Sequence, residues 1–425
     1  MKILLIEPNI EGYVLMPTMS LAILKGYINQ KTKHNAEIID LAFHKKKWKE
    51  SIYNKIVEER PDIIGLSVLT FNYSQAIEIS NFIKKNFKIQ IIFGGVHCIL
   101  SPEEVIKNDC VDIICIGEGE YVLKDLLDEN LNCRKVNGIW YKEKGIIIKN
   151  KGIRLIENLD EIPFPEWEDF ELEKYFTINN NHLPIMGSRG CPYNCTYCSN
   201  HALKKKLEGK YVRFRSVDNI LEKIDQRIKQ YYGKGLKYLF FYDDTFILNE
   251  SFVTEFCRKF IERGYNKKIK WNVNVRANLV TNKIIKLMKE AGCYEVRMGV
   301  EAGNDYIRNE VYKRNMSRKD IFDAIKIIKK NRIRLRLQFM IGAPYETIGM
   351  MKESFEMSKQ ADSDYSLFPI LIPLPSTEIR DICEKEGLIE KQNLKNFQDM
   401  FINPVVRTKY ASRNEIKKLV RNVRN

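Results

Sequence analysis

From residue 2 the chain alternates short apolar runs with longer stretches in which apolar residues recur at helical spacing. The runs 2–8, 36–41, 62–69, 89–94 and 112–116 are rich in Ile, Leu, Val and Phe, and helix-length segments such as 19–30 and 73–85 separate them. Strands that are apolar at nearly every position, alternating with helices, predict a parallel sheet covered on both faces. Residues 138–150 then place two strand-like runs around Glu143-Lys144-Gly145, a hairpin signal. Pro163 and Pro165 interrupt both helix and ladder, so an inter-domain linker is expected at 151–180.

A second alternation follows. Its strand runs lie at 183–187, 238–242, 270–275, 295–300, 334–341 and 365–372, with helical patterns near 217–232, 250–263, 281–291, 319–331 and 347–360. Six strand–helix units fall short of the eight that close a full barrel, which predicts a laterally open one. The expected fold class is α/β. A doubly wound Rossmann-like domain covers 1–137, the hairpin and linker 138–180, a partial (β/α)6 barrel 181–380, and a short helical, basic tail 381–425.

Composition narrows the function classes. With 44% hydrophobic and 29% charged residues in 425, the chain is a folded one and not a disordered one. Its net charge of +15 is spread over helix faces among Ile and Asn, which reads as a solvated surface, with an anionic partner such as nucleic acid, a peptide leader or a phosphorylated substrate as the alternative; nucleic acid is not the expected partner. No apolar run approaches the ~18 residues of a membrane helix. The apolar N-terminal stretch is too short for a signal peptide and reads as a first strand, so a cytoplasmic protein is expected. In that setting ten cysteines point to thiol or metal chemistry and not to a disulfide framework. Cys98, Cys110, Cys115, Cys133, Cys257, Cys293 and Cys383 are scattered and read as small buried hydrophobes.

Cys191, Cys195 and Cys198 are different. They form C-x3-C-x2-C directly after the first strand of the second half, where Gly187 and Gly190 allow a tight loop. That is the strand end that carries chemistry in β/α barrels. Adding His201 gives C-x3-C-x2-C-x2-H, which is not the pairwise spacing of a zinc knuckle. Three soft thiolates suit a four-iron cluster, and a cluster with only three protein ligands keeps one iron open to a small molecule.

With Tyr197 before the last cysteine, the loop resembles the C-x3-C-x-aromatic-C motif of the radical S-adenosylmethionine (SAM) superfamily. The resemblance implies that the open iron is chelated by the amino and carboxylate groups of SAM, and that one electron then yields a 5′-deoxyadenosyl radical. It also implies roles by position. Asp243 and Asp244, in Phe241-Tyr242-Asp243-Asp244, match the acidic turn that receives the methionine ammonium; a helix cap at Asp244 or Thr245 is the alternative. Arg276 and Glu301, the latter within Gly299-Val-Glu301-Ala-Gly303, match groups that hold the methionine carboxylate and the ribose; a surface ion pair is the alternative there. Gly342-Ala-Pro344-Tyr-Glu346-Thr and Pro373-Leu-Pro375-Ser-Thr377 resemble family turns that shape the backbone.

The first half resembles the cobalamin-binding domain that precedes the radical barrel in the cobalamin-dependent subclass. The matching positions are Pro8 and Asn9, the helix entry 17–26, Gly65-Leu-Ser67-Val-Leu69, Gly94-Gly95-Val-His97 and Gly117-Glu118-Gly119-Glu120. The resemblance implies cobalamin contacts from Pro8, Asn9, Ser67, Leu69, Gly94, Gly95, His97, Glu118 and Gly119, at the carboxyl ends of the strands. The D-x-H-x-x-G lower-ligand sequence is missing and Glu7-Pro-Asn9 occupies its loop, so no histidine is expected under the cobalt and His97 reads as a loop residue. A Rossmann-like domain that no longer binds cobalamin is the alternative.

Together these imply a cobalamin-dependent radical SAM methyltransferase acting on an unactivated carbon, with a four-iron cluster, SAM and cobalamin as cofactors. The implied partners are an external one-electron reductant and a small-molecule, peptide or carrier-bound substrate. No catalytic acid, base or nucleophile is nominated, because the cofactors carry such chemistry. The alternatives are a cyclase, rearrangement or oxidation enzyme of the anaerobic oxidative-cyclase type, a methylthiotransferase, and a redox-sensing iron–sulfur protein. Cys115 in mid-strand and the short tail argue against the methylthiotransferase.

Overall fold

Ile3, Leu4, Leu5 and Ile6 are all buried, so strand β1 (Lys2–Ile6) needs apolar cover on both faces. A parallel sheet supplies it. Its members are β2 (Asn35–Ile39), β1, β3 (Ile63–Ser67), β4 (Gln90–Gly94) and β5 (Ile113–Cys115), in that spatial order. The hairpin β6 (Ile139–Glu143) and β7 (Ile146–Lys149) extends the β5 edge antiparallel, turning through Lys144 and Gly145 at φ +49° and +80°. On one face Leu4, Ile6, Ile64, Leu66 and Phe93 pack against Ile52, Ile56, Ala76, Ile79 and Ile83 of the helices Trp48–Glu59 and Tyr73–Asn86. The strand order reverses between β1 and β3, which opens a ligand crevice at their carboxyl ends.

The computed structural model describes residues 1–11, 16–152, 155–390 and 399–424; the part of the tail at 391–398, read as helical from sequence, lies outside them. The described chain divides into two units. Met1–Tyr175 with Ala202–Tyr211 form the first, and Phe176–His201 with the described residues from Val212 onward form the second. The stretch read as a linker is, from residue 155 to 175, packed on the first unit: Trp167 and Tyr175 are each 1% exposed, and Lys25 bridges Asp169 at 2.6 Å and Glu37 at 3.1 Å.

In the second unit six parallel strands run in the order β15-β14-β13-β12-β11-β8 without closing. They are β8 (His182–Ile185), β11 (Tyr238–Phe241), β12 (Lys270–Val275), β13 (Cys293–Glu301), β14 (Arg334–Phe339) and β15 (Tyr365–Leu367). A short antiparallel pair, β9 (Ser188–Arg189) and β10 (Arg213–Phe214), braces the loop after β8. Helices lie between the strands. Ser216 caps Val217–Tyr231 by accepting from the Asn219 N–H, and Ser317 with Asp320 forms a capping box on Arg318–Lys330. Phe241, Phe246, Phe256, Phe260 and Trp271 form an aromatic cluster under the outer face of the sheet.

Two strands depart from the sequence pattern. The run 365–372 pairs only over Tyr365–Leu367, because Pro369 and Pro373 offer no N–H; an isolated Ile341–Ile370 bridge continues it. Strand β13 is longer than its apolar run, beginning at Cys293 and ending at Glu301 across an irregularity in register. No described helix is long and apolar enough to cross a membrane.

Candidate functional site

The carboxyl end of β8 leads into the cysteine loop, and neighbouring segments fix that loop by its backbone. The Thr196 N–H and hydroxyl donate to the Tyr312 and Val311 carbonyls at 3.2 and 2.7 Å, and the Thr196 carbonyl accepts from the Ile379 N–H at 3.1 Å. Cys198 N–H closes a turn on the Cys195 carbonyl at 3.1 Å. Cys195 is buried, while Cys191 and Cys198 are half-buried. Burial raises the Cys191 thiol and pushes Cys198 up to about 12, so loading metal must displace protons from them. Among the described residues no three His, Cys, Asp or Glu side chains converge on a single ion position. Tyr197 turns away from solvent and meets the Tyr312 ring edge-on at 5.0 Å.

Two guanidinium groups lie beside Cys195, while Asp244 is the charged neighbour of Cys191 and Cys198. Arg314 Nη1 lies 3.6 Å from Cys195 Sγ, its Nη2 donates to the Gly299 carbonyl at 2.6 Å, and its Nε is buried without a partner. Arg276 is 3% exposed and sits over the Tyr193 ring at 3.9 Å. One of its nitrogens donates to the Arg314 carbonyl, but Nε and Nη1 have no hydrogen-bond partner. Burial, followed by Arg314, pulls the Arg276 guanidinium below its usual range. An unpaired buried guanidinium is costly, so these orphaned donors mark a place for an anion.

Glu301 supplies the carboxylate, and its backbone is strained. It holds φ +71°, a left-handed conformation uncommon outside glycine, and lies 3.8 Å from Arg314. Burial raises its carboxyl, and the Arg314 charge opposes that shift. A side chain at Gly299 would place Cβ 2.3 Å from Glu301 Oε1 and 3.1 Å from Arg314 Nη2, which is why glycine precedes Glu301 by two. The acidic turn divides its work. Asp243, 1% exposed, accepts from the Gly187 N–H at 2.9 Å and the Ser188 hydroxyl at 2.5 Å, and burial pushes it up to about 6. It therefore orients the loop before Cys191. Asp244 is exposed and accepts from Asn200 at 2.8 Å. Glu346 clamps its own turn, accepting from the Gly342 and Ala343 N–H groups at 2.7 and 3.0 Å.

Sequence reasoning missed Arg314, Tyr193 and Tyr312. Arg314 lies between Lys313 and Asn315, both left-handed at φ +51° and +50°, after the turn Ile307–Val311. Nothing in the Lys313-Arg314-Asn315 tract separates it from a surface charge; the strained backbone, visible only in the fold, aims it inward.

In the first unit the strand ends carry the other group of residues. Gly95, at φ +99°, would bring a Cβ to 2.6 Å from the Val68 carbonyl oxygen, so only glycine lets β3 and β4 end this close together. Pro8 is buried and Asn9 half-buried after β1; Ser67, Gly94 and Gly95 are half-buried, and Leu69 is 44% exposed. Together they form a shallow small-residue cradle with an exposed apolar contact at the switch point, which suits a bulky ring. Glu118 accepts from the Ile156 N–H at 2.6 Å, and a Cβ added at Gly119 would come 3.1 Å from Leu24. His97 is 2% exposed, bonded through Nδ1 to Thr70 at 3.1 Å and tilted on Tyr73, with Nε2 buried and unpartnered.

Burial pushes His97 down to about 4, from an ordinary 6.5, so the folded state disfavours its protonation. Stability from this group is intact above pH 6.5 and is lost as pH falls toward 4, up to about 3 kcal/mol. Urea midpoints measured from pH 7 to 4 should therefore fall less steeply for His97→Gln than for the wild type.

Three thiols, two guanidinium groups and a half-buried carboxylate thus meet at the carboxyl ends of the barrel strands, the arrangement that the radical SAM resemblance implies. The family models agree: the B12 binding domain matches residues 10–127 and the radical SAM superfamily matches residues 185–358. The chain is 30% identical to an uncharacterized methyltransferase of Pyrococcus horikoshii, over 99% of this chain and 91% of that protein. It is 25% identical to the anaerobic magnesium-protoporphyrin IX monomethyl ester cyclase of Rubrivivax gelatinosus, over 98% and 75%. The fold is that of the radical SAM methyltransferase TsrM of Kitasatospora setae, with a TM-score of 0.77 at 15% identity, over 92% of this chain and 77% of that one. The chain belongs to the radical SAM superfamily, among the members that carry a B12 binding domain, and its cofactors are a four-iron cluster, SAM and cobalamin.

Proposed function

We propose that the protein is a methyltransferase that modifies an unactivated carbon. The observation that carries this is the full-length match to the Pyrococcus methyltransferase, which takes in the cysteine loop and the B12 binding domain together. When bound, the cluster, SAM and cobalamin supply homolytic cleavage and a transferable methyl group. The chain supplies position and charge. Cys191, Cys195 and Cys198 ligate the cluster, and Tyr197 anchors their loop. Arg276 and Arg314, with donors left open, bind the carboxylate of SAM, and Glu301 binds its ribose hydroxyls. Asp244, at the exposed turn, faces the ammonium group, whereas Asp243 keeps its bonds to Gly187 and Ser188. Pro8, Asn9, Ser67, Leu69, Gly94 and Gly95 cradle the corrin, His97 stands neutral beside them, and Glu118 and Gly119 support the crevice wall. An external one-electron reductant and a cytoplasmic setting complete this reading.

The relative from Rubrivivax favours cyclisation as the second reading. Anaerobically reconstituted protein with SAM, cobalamin, a reductant and a candidate substrate separates the two by product mass. A gain of about one methylene with deoxyadenosine release is expected. A product lighter by hydrogens alone would favour the cyclase, and absence of deoxyadenosine would end both readings.

A further inference from the structure

The inner face of the six-stranded sheet carries charge that the cofactor site does not use. Along β13 and β14 the residues Val296, Met298, Val300, Leu335, Leu337 and Phe339 are fully buried under the helices. The alternate positions, Arg297, Gly299, Arg336 and Gln338, stay half-buried on the other face. A closed barrel fills this space with branched apolar side chains. Here it is polar.

The register puts Arg297 directly beside Arg336, on neighbouring strands about 4.8 Å apart. One carboxylate serves both: Glu295 accepts from Arg297 Nε at 3.2 Å and lies 3.6 Å from Arg336 Nη2. Asn272 adds a donor to Glu295 at 3.3 Å. The titratable rings at this level are His182, Tyr238 and Tyr294; burial holds His182 below its ordinary range and, with Glu295, pushes the Tyr294 hydroxyl above its own, so neither adds negative charge. Glu301, farther up β13, is paired with Arg314, and Asp364 lies 4.0 Å from the exposed Arg334. Two guanidinium groups against one carboxylate leave one positive charge. Arg336 Nε is also buried with no partner, and Arg297 lies over Phe240 at 3.9 Å, which covers its face and leaves its edge for hydrogen bonds. A purely structural ion pair needs no second cation and would lose nothing by apolar replacement.

We infer that this inner face binds an oxyanion of the substrate, a carboxylate or phosphoryl group, between Arg297 and Arg336. The inference rests on the proposed function, since it assigns the substrate class of the same unit. Glu301 lies four residue steps along β13 from Arg297, about 13 Å of strand, so the anionic end lies roughly that far from the group binding SAM. Guanidinium forks match both oxyanions in geometry.

The test uses the full-length, cluster-loaded protein saturated with SAM, so that Arg276 and Arg314 are occupied. Phenyl phosphate, benzoate and neutral benzamide are titrated by calorimetry. At least one oxyanion is expected to bind about tenfold or more tightly than benzamide, and Arg297→Gln and Arg336→Gln are each expected to weaken it about tenfold, with partial recovery in Arg336→Lys. Phosphate preference would assign a phosphoryl group and benzoate preference a carboxylate. Equal binding of benzamide, no oxyanion binding, or folded Gln variants that bind as the wild type does would overturn the inference. The wild-type comparison decides the matter if the variants do not fold. Iron content and SAM binding, measured on the same wild-type sample, separate the two failures: if both are present without anion binding, only this inference falls.

Discussion

Cys195→Ala is expected to yield a folded chain that carries almost no iron and no broad visible absorbance, and that releases deoxyadenosine at least about a thousandfold more slowly than the wild type. The size of the effect follows from the number of anchors. With three thiolates and one open iron, no spare protein ligand takes the place of a lost sulfur. Folding survives because the loop is held by its backbone, through Thr196 to Val311 and Tyr312 and through Ile379 to Thr196, and not by the sulfur. The substitution also removes the sulfur at 3.6 Å from Arg314, adding another unpaired guanidinium nitrogen and a cost of about 1–2 kcal/mol. Cys293→Ala is the matched control. That thiol is fully buried and donates to the Glu295 carbonyl, so its loss should lower stability while iron per chain stays at the wild-type value. Iron analysis of both variants after the same reconstitution checks this, and wild-type iron in Cys195→Ala would remove the cluster from the site.

The strands were legible because burial on both faces leaves a run with no polar positions, as in Ile3–Ile6, and because helices between such runs leave only parallel pairing. Limits of strands were less legible where hydrogen bonding, not apolarity, sets them. Tyr365–Leu367 ends early at its prolines, and β13 starts at Cys293 because Trp271 pairs there across an irregular step. The cysteine loop announces itself since three sulfurs must sit close in sequence to fit one small object. Its electrostatic surroundings do not. Arg314 reaches Cys195 from 119 residues away, and only two left-handed residues beside it turn it inward. Asp243 and Glu118 carry the opposite lesson. Each occupies a position that a ligand contact would suit, and each also satisfies a backbone N–H, of Gly187 and of Ile156, while the second Asp243 oxygen accepts from the Ser188 hydroxyl. The inner face of the second sheet was unreadable for a further reason. Arg297 and Arg336 alternate with apolar residues as surface arginines do on any amphipathic strand, and only an open six-stranded sheet turns that polar face into a sheltered one.

Arg276→Met should move stability and binding in opposite directions. Arg276 is 3% exposed, has two nitrogens without partners, and is disfavoured as a cation by burial and by Arg314 beside it. Methionine has similar length, keeps contact with the Tyr193 ring through its sulfur, and needs no counter-charge. Removing an uncompensated buried cation should therefore stabilise the iron-free chain by about 1–3 kcal/mol, seen as a higher urea midpoint. The same change removes the donors that would meet the SAM carboxylate, and charged hydrogen bonds of this kind are worth about 1.5–3 kcal/mol each. SAM affinity of the cluster-loaded protein should then fall about 30- to 100-fold, measured by calorimetry. The opposed signs are what identify a cation kept for binding: a residue that merely held the fold would lower both quantities. A destabilised chain with unchanged SAM affinity would assign Arg276 to its bond with the Arg314 carbonyl, and would leave Arg314 as the guanidinium that holds the ligand.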